Sequence, residues 1–266
     1  MKLSKVPHLV LIEEASVVGS MLKGVVYRVE KLLFVPLGSD ASLTSASEDL
    51  PFIEMIQKVQ AEKSFYFSYD IDMTQNLQAT FSRIENTQQP ANDNLAYMRT
   101  TFPNSVDYIP YFAVNHEMLH EFRGIEYSPF RVPCIFGYVF ISQPEFKHGA
   151  KTDFYLVSRK DCRRPGRRFI TRGLDDEGNA ANFVETEHIF VQYMPSQEIN
   201  VSSYVQIRGS IPLLWSMKPN MKWSPPVIIN PNLQESLQVA KKHFSSTKTT
   251  YGSQYLVNLI DKKGSQ

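Results

Sequence analysis

The chain has 266 residues, 42% of them hydrophobic, with 28 Lys and Arg against 27 Asp and Glu. Such a chain can bury a sizeable core as one large or two modest domains, and it reads as soluble and globular. No apolar run approaches the roughly 18 to 20 residues of a membrane span, the glutamates of "MKLSKVPHLVLIEEASVVG" argue against a secretory signal, and two cysteines, Cys134 and Cys162, argue for a reducing compartment. The near-neutral total hides an asymmetry. Residues 1–150 carry 12 basic and 17 acidic side chains, and residues 151–266 carry 16 and 10. An anionic partner is therefore expected at the second part.

In chain order, "HLVLIEE", "VVYRVEKLLFVPL" and "SFYFSYDIDMT" are rich in Val, Ile, Phe and Tyr and predict strands. Between the last two, "SASEDLPFIEMIQKVQAEK" predicts a short helix, with a Ser cap and Pro51 in its first turn. The stretch "NTQQPANDNLAYMRTTFPNSVDY" has neither period and reads as a long surface loop. "YFAVNHEMLHEFRG" returns to helical spacing through Ala113, Met118 and Phe122, and "RVPCIFGYVFISQ" and "TDFYLVSRK" return to strand. Residues 1–155 thus predict an α+β domain.

The remainder opens on a basic stretch and continues through predicted strands "RFITRG", "NFVETEHIFVQY", "VSSYVQIRGSIPLLWSM" and "PPVIINP". A helix over "LQESLQVAKKHFSST" and a final strand "YGSQYLVNLID" follow. Gly178 and Asn179 predict a tight turn between strands. The chain ends at "NLIDKKGSQ", where a strand-to-helix connection would begin, so a truncated second domain, 156–266, is expected.

Three patterns bear on chemistry. Cys162 and Arg168 are separated by five residues, the count of a cysteine-phosphatase phosphate loop. Such a loop needs a thiolate, a cradle of backbone N–H groups, an arginine and a helix N-terminus. "CRRPGRRFITRG" follows no buried apolar strand and leads into another strand, so an ordinary basic turn is expected instead. The second pattern is "HEMLH", which sets His116, Glu117 and His120 at zinc-protease spacing, but no persuasive third ligand accompanies it and no metal or cofactor is expected. The third is "NFVETEHIF". As a strand it points Phe183, Glu185, Glu187 and Ile189 one way, and both carboxylates are expected to pair with the arginines of "RFITRG".

"SRKDCRRPGRRFITRGLDDEGNAANFVETEHIF", with "SYVQIRGSIPLLWSMKPNMKWSPPVII" and "YGSQYLVNLIDKKGSQ", resembles the SAC-domain phosphoinositide phosphatases. "FYFSYDIDMTQNLQ" and the "NHEMLHEF" helix resemble that family's N-terminal part. The resemblance implies a layered N-terminal subdomain over 1–155 and the first portion of a phosphatase-like catalytic subdomain over 156–266. It places the catalytic cysteine downstream in a Cys-x5-Arg-Thr loop. No such motif occurs in this sequence, so the chain is expected to be inactive alone, either a truncated enzyme or a catalytically inactive phosphoinositide-binding or adaptor fragment.

Phosphatidylinositol phosphates and an anionic membrane surface are the implied partners, with no nucleic acid, at the cytosolic face of the endoplasmic reticulum or Golgi. Arg159, Lys160, Arg163, Arg164, Arg167, Arg168 and Arg172 are the candidate contacts, against the reading of a solvated basic face. Arg208 is a further candidate contact or a structural salt-bridge partner, and Trp215 is expected in the core.

Overall fold

The computed structural model describes residues 7–37, 43–86, 108–122, 130–145, 151–167, 170–196, 198–218, 220 and 225–259. The architecture is α+β. The chain groups into two compact units, Met1–Arg159 with Glu185–Gln206, and Lys160–Val184 with Ile207–Gln266. Segment 185–206 thus groups with residues before the basic stretch.

The first unit is built on a sheet of seven strands. These are β1 (His8–Met21), β2 (Gly24–Pro36), β3 (Phe65–Ser68), β4 (Ile135–Ser142), β5 (Lys151–Lys160), β6 (Val184–Tyr193) and β7 (Ile199–Arg208), side by side in chain order. Antiparallel pairing joins β1 through β5, with Tyr66 opposite Ile135 and Phe140 opposite Leu156. Alternation on β3 serves both faces of the sheet. Tyr66 joins Val26, Ile135, Val157, Ile189 and Val191 in the main core, while Phe65 and Phe67 pack with Val29 and Cys134.

Two helices belong to this layer. α1 (Leu43–Gln60) begins earlier than the sequence predicts, so Pro51 lies inside it and not in its first turn. α2 (Leu77–Asn86) is capped by Asn76, whose side-chain oxygen accepts from the Ala79 N–H at 2.9 Å. The expected helix around "NHEMLH" is short, α3 (His116–His120), preceded by a 3₁₀ turn at Pro110–Phe112. The predicted loop between α2 and that turn lies, apart from its first and last residues, outside the described residues.

The second unit holds a two-stranded ladder, β8 (Trp215–Met217) with β9 (Val227–Ile229), and α4 (Leu233–Tyr251). Asn232 caps α4 by accepting from Glu235 N–H at 3.2 Å. Two predicted strands are corrected here. Ile170–Gly173 forms turns and bends, because these residues close a loop rather than pair with a neighbour. Residues 252–259 also carry no strand; Tyr255, Leu256, Val257 and Leu259 are exposed, and β character without a ladder partner does not make a strand.

Candidate functional site

The basic turn is assembled by its own side chains. Asp161, buried at its start, accepts the Arg163 backbone N–H at 2.8 Å, a turn that an Asp two residues upstream commonly sets. The Arg163 guanidinium returns to the same carboxylate as an ion pair. Arg164 donates to the carbonyls of Arg172, Gly173 and Asn179 at 3.2 to 3.4 Å, closing the loop upon itself. Asn182 completes the closure, donating its N–H to the Arg164 carbonyl and accepting from Gly166 N–H.

That geometry bears on the spacing from Cys162 to Arg168. The residues after the thiol run through bends to Arg167 without a helix, and the first N–H that would face a phosphate is bound to Asp161. The two features that lower a thiol pKa and cradle a phosphate are thus replaced by an Asp-closed turn. The expected ordinary turn is what the described residues form; Arg168 lies outside them.

The loop beyond is equally specified. Gly173 has φ +66°, and a Cβ there would lie 2.6 Å from the Trp215 carbonyl and 2.7 Å from that of Leu213. Its N–H is held by Ser210 Oγ at 2.8 Å. Arg172 lies over the Trp215 ring at 5.2 Å, and the indole N–H donates to the Ile211 carbonyl. Trp215 is therefore half-buried in a cation–π contact. The predicted turn at Gly178 is present, with Gly178 N–H on the Asp175 carbonyl and Asp175 also accepting from Asn179. His243 of α4 binds the Gly178 carbonyl through Nδ1 at 2.9 Å; burial, and secondarily Arg163, hold its pKa below the usual imidazole value.

Arg159 is placed differently. It is 2% exposed in the first unit, where Nε donates to Met73 O, one terminal nitrogen to Glu185, and the other to Gln75 O and Glu187 at 2.9 and 3.0 Å. Burial opposes its charge, but Glu187 and Glu185 outweigh that and raise its pKa. Glu187 also accepts from Leu77 N–H at 2.8 Å and Ser203 Oγ at 2.7 Å, and Glu185 from Asn76. One ion-pair network thus ties β5, β6 and β7 to the N-terminus of α2, where negative charge is favoured. The expected alternation of β6 holds, with Glu185, Glu187 and Ile189 buried together. The expected pairing with the arginines of "RFITRG" is corrected, because β5 is the adjacent strand and supplies Arg159.

Of the remaining candidates, Arg167 and Arg208 are exposed, and Lys160 is half-buried. His116 Nδ1 meets the Tyr108 hydroxyl at 2.8 Å, and no group of three metal-capable side chains occurs among the described residues. No helix among the described residues is long and apolar enough to cross a membrane. Asp161 is the residue that sequence reasoning missed. Its signal was the Asp two positions before Arg163.

An α+β chain with this basic, Asp-closed turn matches the SacI homology domain over residues 1–266, and it belongs to that family. It is 31% identical over 263 residues to uncharacterized protein C19F5.03 of Schizosaccharomyces pombe, covering 99% of this chain and 42% of that protein. It is 36% identical over 216 residues to phosphatidylinositol-3-phosphatase SAC1-B of Danio rerio, covering 81% of this chain and 34% of the relative. Against phosphatidylinositol-3-phosphatase SAC1 of Saccharomyces cerevisiae it is 33% identical over 224 residues, 82% of this chain and 33% of the relative. The chain thus spans between a third and about two fifths of the length of these relatives.

Proposed function

We propose that residues 1–266 act as a phosphoinositide-binding module that does not itself hydrolyse phosphate. The observation that carries this reading is the turn at Cys162, whose first amide and first arginine are bound by Asp161 and which no helix follows among the described residues. A phosphate can be attracted there, but the amide and the arginine next to the thiol, which could otherwise activate it, are engaged by Asp161. Contact with inositol phosphates or an anionic bilayer is assigned to Lys160, Arg167, Arg168 and Arg208, while Arg163 is held by Asp161. Arg164 and Arg172 shape the loop, and Arg159 acts in the interior of the first unit. The names of the zebrafish and yeast relatives supply the ligand class.

A second reading is favoured by how little of those relatives the chain spans. In a longer protein, a following Cys-x5-Arg-Thr loop would supply the nucleophile. The whole would then hydrolyse a phosphate monoester through a phosphocysteine, at the cytosolic face of endoplasmic reticulum or Golgi membranes. Residues 1–155 would be its N-terminal subdomain and 156–266 the first portion of its catalytic subdomain.

The test combines vesicle sedimentation with phosphate release. Residues 1–266 and a Cys162→Ser variant are each offered phosphatidylcholine vesicles with and without phosphatidylinositol 4-phosphate, then short-chain phosphatidylinositol 4-phosphate and 3-phosphate. Both proteins are expected to sediment with the phosphoinositide vesicles and to release no phosphate. Turnover lost on substitution, or sedimentation no greater than with neutral vesicles, overturns the proposal.

A further inference from the structure

The helix of the second unit, α4, has a sidedness that its packing does not use up. Ser236, Val239, Ala240 and Thr247 are buried, and at about 100° per residue they define one inner side. The opposite arc holds, in angular order, Leu237, Lys248, Lys241, Gln234, Ser245 and Gln238, all of them exposed. It carries two lysines and no carboxylate. The acidic residue of the helix, Glu235, lies on a flank, where Asn230 donates to it at 3.0 Å. Lys242, on that flank too, donates to the Asp176 carbonyl at 2.8 Å. The acidic turn 175–177 therefore packs on the side turned away from Leu237 and Lys248.

Along its length the outer arc changes from apolar to cationic. Leu233 is 66% exposed and Leu237 49%, and Ile229, at the end of β9 just before the helix, is 64% exposed. Single exposed leucines are ordinary. Two of them one turn apart, in line with Lys241 and Lys248, make a stripe about 22 Å long. Leucine gains from leaving water and an ammonium gains from a nearby anion, so the stripe fits a surface that offers both in one plane. The boundary of an anionic bilayer does so, with acyl chains just beneath the headgroups. Lysine stems are long enough to lie at the depth of the leucines while the ammonium stays among the headgroups. The charge of the whole unit points the same way. Lys160–Val184 and Ile207–Gln266 together hold 14 basic and 6 acidic side chains.

We propose that the outer face of α4, Leu233 and Leu237 with Lys241 and Lys248, lies on an anionic bilayer as a second contact of the lipid-binding unit. The proposal rests on the lipid-binding reading and extends it. The basic loop meets a phosphoinositide headgroup, and α4 responds to the bulk negative charge of the membrane around it.

Vesicle sedimentation of residues 1–266 tests the contact at about 0.1 M salt, where surface charges still act over about 10 Å. The vesicles are phosphatidylcholine alone, with phosphatidylserine, and with phosphatidylserine and phosphatidylinositol 4-phosphate. Lys241→Gln with Lys248→Gln should lower partitioning onto the phosphatidylserine vesicles about 30-fold, a factor of about five for each lysine. Leu233→Ser with Leu237→Ser should lower it at least about tenfold. Both variants should keep the wild-type far-UV spectrum and the further gain that phosphatidylinositol 4-phosphate adds. Removing the same charge from the acidic first unit, by Lys58→Gln with Lys151→Gln, should leave partitioning within about twofold. Wild-type partitioning in both α4 variants overturns the α4 contact and leaves the loop reading standing. An equal loss in the first-unit variant also overturns it, because net charge alone then explains the binding. A loss confined to the leucine variant overturns it as well, and assigns the stripe to an uncharged apolar surface. Absence of any gain from phosphatidylinositol 4-phosphate in the wild type sinks the loop reading instead, and the phosphatidylserine arm still decides α4.

Discussion

Replacing Arg159 with Leu tests the central structural claim. Glu185 and Glu187 are each 1% exposed, and the guanidinium is the cation both carboxylates contact. Its removal leaves two like charges buried side by side and takes donors from the Met73 and Gln75 carbonyls. Deleting one partner of a buried pair costs about 3–5 kcal/mol, and each abandoned buried acceptor adds about 1–3 kcal/mol before relaxation. A loss of at least about 3–5 kcal/mol is therefore expected. At about 2–4 °C per kcal/mol for a unit of this size, the midpoint should fall by roughly 6–20 °C.

Urea titration followed by far-UV circular dichroism measures it, because the tryptophans, Trp215 and Trp223, both fall in the second unit's segments. Glu187→Gln should cost more than Glu185→Gln, since Glu187 additionally holds Leu77 N–H and Ser203. Arg159→Lys should not rescue, because an ammonium cannot span two carboxylates and two carbonyls in one plane. A loss below about 1 kcal/mol for Arg159→Leu would refute the network as a stabilising tie.

Two further outcomes follow from perturbed groups. Burial pushes the Cys134 thiol up to about 12, so at about pH 8 a disulfide reagent should titrate one thiol of two in the native protein and both in guanidinium; rapid native reaction of two would contradict that burial. His243 has a depressed folded pKa, so its stabilising contribution is complete above the unfolded value of about 6.5 and is lost as pH falls through the folded value. Urea stability read by tryptophan fluorescence should drop below about pH 6.5, and His243→Gln should flatten that slope. A slope unchanged by the substitution would remove His243 from the account.

Side and period are legible in the sequence, and adjacency is hidden. The alternation of β6 alone puts Glu185 and Glu187 on one face, because a strand's period is a local property. It does not say that β5 lies next to β6, so proximity along the chain points to the arginines of "RFITRG" and away from Arg159. The start of α4 is legible from Leu233, just after the polar cap Asn232. "RFITRG" misleads because Phe, Ile and Thr favour strands, while Arg164 captures the carbonyls of Arg172 and Gly173 and Gly173 takes a left-handed backbone. Composition reports what a segment tolerates. Its hydrogen-bond partners decide what it becomes.

The same distinction governs the basic stretch as an anion site. Counted as charges, Arg159 to Arg172 form a dense cationic run. As side chains, Arg159 is interior, Arg163 is neutralised by Asp161, Arg164 is bound to three carbonyls and Arg172 lies on Trp215. Among the described members, Arg167 is exposed, and Arg208 adds another exposed cation in the second unit. At about 1 kcal/mol per basic residue near an anionic bilayer, two or three such cations supply roughly 2–3 kcal/mol. That is a factor of about 30–150 in partitioning, enough to bias the chain toward a charged surface and too little to hold it there. A module of this strength needs a second attachment, because linked binding at two points multiplies affinities that are weak singly.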